Sequence, residues 1–417
     1  MDEEPANLKL PEGPVNVLVT GGTGFFGHNL ILALLAHSSV NMIHVYARRP
    51  PPTENLLSRW DALGGSLMGH PVEPTSENER VLQSAGPNAV FANDRVRVFR
   101  GHITDRVRLK EAMAGCHIVF HACGDTRWWN AINSEQYATN VEGTKVAFEV
   151  AESCPSVKRF IYTSTVDVMG HDDCPRDVMG YPDNGSRHPN TTGVLDETHP
   201  RSRYSYTGFG YHYADTKRQA EEYLLSTGSC MLTIIRPGSM LGPWDVSDQY
   251  GRLFAELKQH SLAGIPSGGT SFCHVQDVAR AHIKAAFRPV SLQSSKNPPI
   301  YICAGENVTY RQLFYAMRAM LKDYHDDNSA TIGVCCGGCE RIPRWLLVVY
   351  AWCCERHSNL WSGEEPELNP GMARYMSCHA YYSSAKAERD LGYPPQAQRW
   401  LAAIVESYEW YRVRGRF

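Results

Sequence analysis

A short apolar run that feeds straight into a glycine turn constrains this chain more than any other feature. Val15 to Thr20 leads into Gly21-Gly22-Thr23-Gly24-Phe25-Phe26-Gly27, and Phe26 to Ala36 then carries leucines at helical spacing. An apolar run of that length before a glycine turn predicts a buried parallel strand, and the pattern after it predicts a helix. Each glycine has its own reason. Gly21 permits the tight turn, Gly24 lets the backbone approach a pyrophosphate, and Gly27 lets helix and strand pack closely. The helix N-terminus, at Phe25 and Phe26, offers N–H groups and a positive dipole to phosphates. A glycine loop by itself is also an ordinary turn; its place between strand and helix is what makes it informative.

Further strands are predicted at Met42 to Ala47, Val96 to Phe99, His117 to Ala122, Lys158 to Thr163 and Met231 to Arg236, with helical patterns between most of them. Alternation of this kind means a parallel sheet covered by helices on both faces. The expected fold is α/β: a Rossmann doubly wound parallel sheet with a smaller C-terminal α/β substrate-binding region. Residues 1–14 read as a flexible N-terminus, 15–236 as the dinucleotide-binding domain and 237–417 as mainly the substrate-binding region. Pro50 to Asn93 reads as a mobile insertion with a short helix near Leu56 to Leu63, because structureless stretches of that length are uncommon in compact domains. Gly170 to Ser205 is also long and should border the reaction pocket.

The formal charge of −3 over 417 residues, with no basic run, argues against nucleic acid as a partner. The acidic start, Met1-Asp2-Glu3-Glu4-Pro5, is not a secretory signal. The expected setting is cytoplasmic, with the thirteen cysteines reduced. Cys335-Cys336-Gly337-Gly338-Cys339 and Cys353-Cys354 lack the paired Cys-x-x-Cys spacing of zinc sites, so no metal is assigned. Trp345 to Trp352 is an apolar run too short to span a bilayer, which takes about 20 residues. It reads first as a buried helix. The alternative is a peripheral membrane contact through 342–361, carried by Trp345, Trp352, Trp361 and flanking arginines.

The chemistry concentrates in Tyr213-Ala214-Asp215-Thr216-Lys217 and in Ser164-Thr165 after the Lys158 strand. Residues four apart share a helix face, so the Lys217 cation stands one turn from the Tyr213 phenol. A free phenol titrates near pH 10, poorly suited to proton transfer at neutral pH. A cation beside it, together with an oxidised nicotinamide, would favour the phenolate. Thr165 can hydrogen-bond a substrate oxygen and hold it near Tyr213, and Lys217 can also hold the nicotinamide ribose. At the end of the second strand stands Arg48, where NAD-specific proteins usually place an acid for the ribose 2′-hydroxyl. An arginine there suits a 2′-phosphate, so NADP is the expected cofactor, with NAD second. Asp105, after the third strand, could reach the adenine edge, and Ala122 ends the fourth strand at the cofactor.

These motifs resemble the extended short-chain dehydrogenase/reductase family, from about Val15 to Leu401. The resemblance adds Asn140-Val141-Glu142-Gly143-Thr144, Arg236-Pro237-Gly238-Ser239, His274-Val275-Gln276-Asp277 and Ala387-Glu388-Arg389-Asp390-Leu391-Gly392-Tyr393. It implies that Asn140 supports the catalytic helix and that the turn with Pro237 and Ser239 meets the nicotinamide. Tyr162-Thr163-Ser164-Thr165-Val166-Asp167-Val168 is most similar to the branch of 3β-hydroxysteroid dehydrogenases, sterol-carboxylate dehydrogenases and dihydroflavonol reductases. That branch mostly carries serine where Thr165 stands.

The expected activity is interconversion of a carbonyl and a secondary alcohol on a hydrophobic small molecule. NAD-dependent steroid oxidation, nucleotide-sugar epimerisation and a catalytically silent cofactor-binding regulator are the alternatives. Sugar dehydratases tend to follow the threonine with Asp-Glu; here Val166 and Asp167 stand there. Trp128, Trp129, Tyr204, Tyr206, Phe209 and Trp244 are the expected pocket walls, and a homodimer is the expected assembly if there is one.

Overall fold

The computed structural model describes residues 6–51, 90–129, 132–170, 194–199, 212–246, 248, 250–259, 264–290, 297–323, 342–394 and 399–416. Most of the Pro50–Asn93 insertion, with its expected helix, and most of Gly170 to Ser205 lie outside the described residues, as do Tyr204, Tyr206, Phe209, Cys335, Cys336 and Cys339.

The chain runs β1 (Val15–Thr20), α1 (Phe25–Leu35), β2 (Val40–Ala47), β3 (Val96–Arg100), α2 (Arg106–Met113), β4 (Ile118–His121), α3 (Asn133–Tyr137), α4 (Gly143–Ser153) and β5 (Arg159–Thr163). Next come β6 (Val194–Leu195), α5 (His212–Ser226), β7 (Leu232–Pro237), β8 (Ser239–Leu241), α6 (Gly251–Lys258), β9 (Gly269–His274) and α7 (Val275–Ala286). The last part holds β10 (Ile300–Cys303), β11 (Glu306–Thr309), α8 (Tyr310–Asp323), α9 (Arg344–His357), α10 (Pro370–Tyr375), β12 (His379–Tyr382), α11 (Ala385–Leu391) and α12 (Arg399–Val413).

Seven strands form one sheet in the order β10-β7-β5-β4-β1-β2-β3, and every neighbouring pair is parallel. The order reverses between β1 and β4, which opens a crevice at the C-terminal strand ends where such sheets bind ligands. Side chains alternate across the sheet as the pleat requires. Val17, Val19, Phe120 and Ile161 face a layer holding Leu30, Ile31 and Leu34 of α1 and Val278 of α7. Leu18, Val119, Phe160 and Tyr162 face Leu109 of α2, Phe148 of α4 and Leu224 of α5. Both faces are dry, so the expected doubly wound sheet stands.

A second, mixed sheet runs β11-β9-β12-β6, with β8 also paired to β9. Gly238 is the crossing point between the two sheets. A Cβ there would stand 2.5 Å from the Ala304 carbonyl oxygen and 2.6 Å from that of Ser271, so only glycine lets β7 turn into β8. Helix α12 closes this end: the Ser407 hydroxyl accepts from Gly242 N at 2.8 Å, and Trp410 Nε1 donates to Asp245 O at 3.0 Å.

Four expectations need correction. The division at residue 236 does not follow the main sheet, because β10, far beyond it, pairs with β7 as the seventh strand. The 1–14 stretch is not all loose: Leu8 and Leu10 pack on the two core layers, and buried Arg159 donates to Leu8 O. Trp244 is no pocket wall; it is buried, stacked on His28 with centroids 5.1 Å apart and tilted against Trp410 at 4.7 Å. Helix α9 is not a buried helix. Only Leu347 and Ala351 along it are buried, while Trp345 is 67% and Trp352 52% exposed. Among the described residues no helix is long and apolar enough to cross a membrane.

Candidate active site

Sequence-predicted residues gather at the C-terminal edge of the main sheet because each follows a strand end: Gly21 after β1, Arg48 after β2, Ala122 after β4, Thr165 after β5 and Ser239 after β7. Gly21 has φ +70°. A Cβ on it would lie 2.8 Å from Cys123 Cα and 3.1 Å from the Ala122 carbonyl carbon, so β1 and β4 deliver their loops edge to edge. A Cβ on Gly27 would run into the Gly21 carbonyl oxygen and stand 2.6 Å from Gly22 Cα. Gly24 differs. A Cβ there would meet one atom, the Gly21 oxygen at 3.3 Å, and nothing else within 4 Å, so the turn is less crowded here than at Gly21 or Gly27. Helix α1 starts at Gly24 with no side-chain cap. A less crowded turn beside an uncapped helix start fits a dinucleotide pyrophosphate. Phe26 is buried and Phe25 packs on the same core layer.

Arg48 is half exposed and pairs with Glu135 of α3 at 3.2 Å; Glu135 also holds Arg127, at 3.2 Å. Arg48 and then Arg127 hold the Glu135 carboxyl below the usual carboxylate range. Asp105 is exposed and caps α2, accepting from Arg108 N at 3.1 Å.

Asn140 sits in a π-helical turn, Ala138–Glu142, between α3 and α4. Such turns widen the helix by one residue and are frequent at functional sites. A chain of hydrogen bonds fixes it. The Thr20 hydroxyl and His121 Nδ1 are 2.9 Å apart, His121 Nε2 and the Thr144 hydroxyl 3.0 Å, and Thr144 donates to Asn140 O at 2.7 Å. Since Thr144 gives its proton to Asn140, it accepts from His121 Nε2, and Nδ1 accepts from Thr20. Burial pushes His121 down to about 3, so the ring is neutral as this chain requires. The Asn140 side chain donates to Thr216 Oγ1 at 2.9 Å and to Asp125 O at 3.0 Å, and accepts from Asp125 N at 2.7 Å. It thereby ties α5 to the loop after β4.

Lys217 Nζ donates to Thr163 O at 2.7 Å and lies 4.7 Å above the Tyr162 ring. Burial pushes it down to about 8. Tyr213 is held well above the usual phenol range, by burial first and then by the Asp167 carboxylate, while a Thr165 hydrogen bond works the other way. Burial and the Asp167 carboxylate act against the phenolate; the expectation joined Lys217 with an oxidised nicotinamide.

Sequence reasoning missed three groups. Asp167 Oδ2 accepts from Thr165 Oγ1 at 3.1 Å, and its Oδ1 accepts from the Tyr375 hydroxyl at 3.1 Å. Glu221, fully buried, accepts from Ser164 Oγ at 2.7 Å and pairs with buried Arg236. Glu221 stands four residues after Lys217, so helical spacing was a signal for it. Tyr375 had none. Trp128 packs edge-on against Tyr375 with centroids 5.4 Å apart, and Trp129 Nε1 donates to Asn359 Oδ1 at 3.1 Å. These two expected wall residues join the loop after β4 to the segment beyond α9.

The chain is similar along most of its length to several known proteins. A putative dihydroflavonol 4-reductase of Synechocystis sp. is 22% identical over 401 residues, 95% of this chain and 94% of that protein. A 3 beta-hydroxysteroid dehydrogenase/Delta 5-->4-isomerase of Mycobacterium tuberculosis is 27% identical over 403 residues, 91% and 86% of the two chains. A decarboxylating sterol-4-alpha-carboxylate 3-dehydrogenase of Candida albicans is 23% identical, covering 93% and 95%. Among solved structures, gox2253 superposes with TM-score 0.65 at 22% identity over 97% of this chain and 99% of that one. The dTDP-glucose 4,6-dehydratase DesIV of Streptomyces venezuelae, with NAD and TYD bound, gives 0.60 at 19%, over 95% and 97%. The model of the NAD dependent epimerase/dehydratase family matches residues 17–302, and the chain belongs to that family of NAD(P)-dependent dehydrogenases, reductases and epimerases.

Proposed function

We propose that the protein is an NADP(H)-dependent oxidoreductase that interconverts a carbonyl and a secondary alcohol on a hydrophobic small molecule. The observation that carries this reading is buried Lys217 on α5, donating to Thr163 O just before Ser164 and Thr165, with Tyr213 one turn earlier on the same helix and packed on the cluster that holds Val166. When bound, the nicotinamide supplies or accepts the hydride. In this reading Tyr213 gives its phenolic proton to the carbonyl oxygen, or takes it back from the alcohol. Thr165 keeps that oxygen within reach. Lys217 steadies the developing phenolate and the ribose, and Asn140 holds α5 in place through Thr216. Gly24 and Ala122 would border the pyrophosphate, with Gly21 and Gly27 shaping the turn, while Pro237 and Ser239 would meet the nicotinamide end and Asp105 the adenine edge. Relatives named for flavonol and steroid chemistry support a hydrophobic substrate.

Arg48 is the residue for a 2′-phosphate. A second reading, NAD use, is favoured by one observation: Glu135 already engages Arg48 and could itself take a ribose hydroxyl. Titration with NADPH and NADH, followed by nicotinamide fluorescence, separates the two. A preference for NADPH that disappears in Arg48→Ala supports the first reading; tight NADH binding indifferent to Arg48 overturns it. Tyr213→Phe should abolish NADPH-dependent turnover of a hydrophobic ketone while leaving cofactor binding intact.

A further inference from the structure

Helix α9 turns a narrow stripe to the protein and its broad apolar side outward. Helical spacing places Trp345, Val349, Trp352 and Arg356 in one row. Leu346, Tyr350, Cys353 and His357 form the row beside it. Both rows are exposed, while Leu347 and Ala351 behind them are buried against Ala373. The apolar surface continues into the π-helical turn Ser358–Ser362, where Leu360 is 64% and Trp361 75% exposed. Ring contacts join the pieces: Arg356 lies 5.2 Å above the Trp352 ring, and the His357 and Trp361 rings are 5.8 Å apart. Of the nine large hydrophobic side chains exposed among the described residues, seven fall between 345 and 361, so they form a patch and not the single scattered residues of an ordinary surface.

Charge, side-chain type and length select the partner. Neither row holds a carboxylate, and its ionisable ends, Arg356 and His357, are both basic. A second copy of the chain would bring the same face and no acid to meet Arg356. Anionic phospholipid headgroups supply that acid. Tryptophan, with an apolar body and one N–H, and arginine, with an apolar stem and a charged tip, settle at the boundary between headgroups and acyl chains. The helix has 14 residues, about 21 Å, enough to lie along that boundary and too short to cross it. Gly363, at φ +65°, ends the patch. Beyond it Glu365 turns back to accept from Trp128 N at 3.1 Å.

We propose that the outer face of α9 and the turn Ser358–Ser362 dock on the surface of an anionic phospholipid bilayer. The docked segment is tied to the candidate active site. Asn359 accepts from Trp129 Nε1, Glu365 holds Trp128, and Trp128 packs on Tyr375 in the cluster that Tyr213 joins. Docking therefore sets the loop after β4 close to the bilayer, where a hydrophobic substrate would be dissolved. The surface itself does not depend on the chemistry of that site.

The test is flotation of the full chain with vesicles of phosphatidylcholine alone and of phosphatidylcholine with phosphatidylserine in equal parts. The protein should bind the mixed vesicles, and the neutral ones less tightly. Trp345→Ser with Trp352→Ser should weaken binding to the mixed vesicles at least about tenfold, from lost apolar burial. Arg356→Gln should weaken it about fivefold, and only on the mixed vesicles. Val107→Ser, which removes an exposed apolar side chain from α2, should change neither. Arg356 is exposed, so its variant still decides the matter if the tryptophan pair fails to fold. No binding to the mixed vesicles overturns the proposal, as does binding that neither the tryptophan pair nor Arg356→Gln weakens. Dimerisation in sedimentation velocity that the tryptophan pair abolishes, without vesicle binding, also overturns it and assigns the face to a second copy. Tyr213→Phe should float with the vesicles as the wild type does, so failure of the catalytic reading leaves this result standing.

Discussion

In the proposed mechanism Lys217 serves Tyr213 as a cation, yet it is buried where a cation is costly. Its compensation is local: the Thr163 carbonyl and the Tyr162 ring face. Burial still wins by enough to bring it down to about 8, so the charge is present at neutral pH and fades above about 8. Turnover that needs the cation should therefore decline above that pH. Lys217→Arg, which cannot lose its proton in this range, should show a lower rate and no such decline; a pH–rate profile of both proteins checks this. Tyr213, Lys217, Thr165 and the glycines stood out as candidates in the sequence because they form patterns of short spacing. Asp167 was visible as a letter but not as a partner, since its second donor, Tyr375, is 208 positions away. The glycine turn gives a separate prediction. Gly27→Ala places a methyl against backbone, which cannot swing aside, so cofactor affinity should fall at least tenfold in a fluorescence titration, with Tm lowered.

At the scale of elements, periodicity identified strands whose both faces are covered and misjudged elements that depend on a neighbour. Strand β10 is four apolar residues between Pro299 and Gly305, a short-strand pattern, but its place as the seventh strand of the main sheet comes from a distant pairing with β7 that its own pattern does not reveal. Helix α9 failed for the opposite reason. Its apolar letters predict burial, but among the residues of the helix only Leu347 and Ala351 are buried, packed with Ala373 of α10, with Val348 partly buried against them. The outer face holds Trp345, Leu346, Val349, Tyr350 and Trp352. Sequence can count apolar residues but cannot say whether another element arrives to cover them. The two faces should respond differently to mutation. Leu347→Ala should cost about 2–5 kcal/mol in urea denaturation. Trp345→Ser and Trp352→Ser should each stay within about 0.5 kcal/mol. A large loss from either tryptophan would mean that α9 packs against something in the folded chain.

Across the whole molecule, three buried histidines tie stability to acid. His28 and His121 are pushed down to about 3 and His282 to about 4, in each case mainly by burial. Two of them are built into polar chains: His121 links Thr20 to Thr144, and His282 accepts from Thr163 Oγ1 at 3.0 Å through Nε2 while Nδ1 donates to Val278 O at 2.8 Å. In the unfolded chain each would titrate near 6.5. Between that value and the native one, the unfolded state binds the extra proton, so stability is full above about 6.5 and falls as pH drops. At pH 5 each histidine should withdraw about 2 kcal/mol. His28 is the one that can be removed cleanly. It is fully buried between Trp244 and Phe91, and neither ring nitrogen has a hydrogen-bond partner among the described residues. His28→Phe replaces an unsatisfied polar ring by an apolar one of similar shape, which relieves a desolvation cost. Urea midpoints at pH 7 and pH 5 should therefore lie closer together in His28→Phe than in the wild type. Equal pH sensitivity in the two proteins would place the acid-labile charge elsewhere and leave His28 as packing alone.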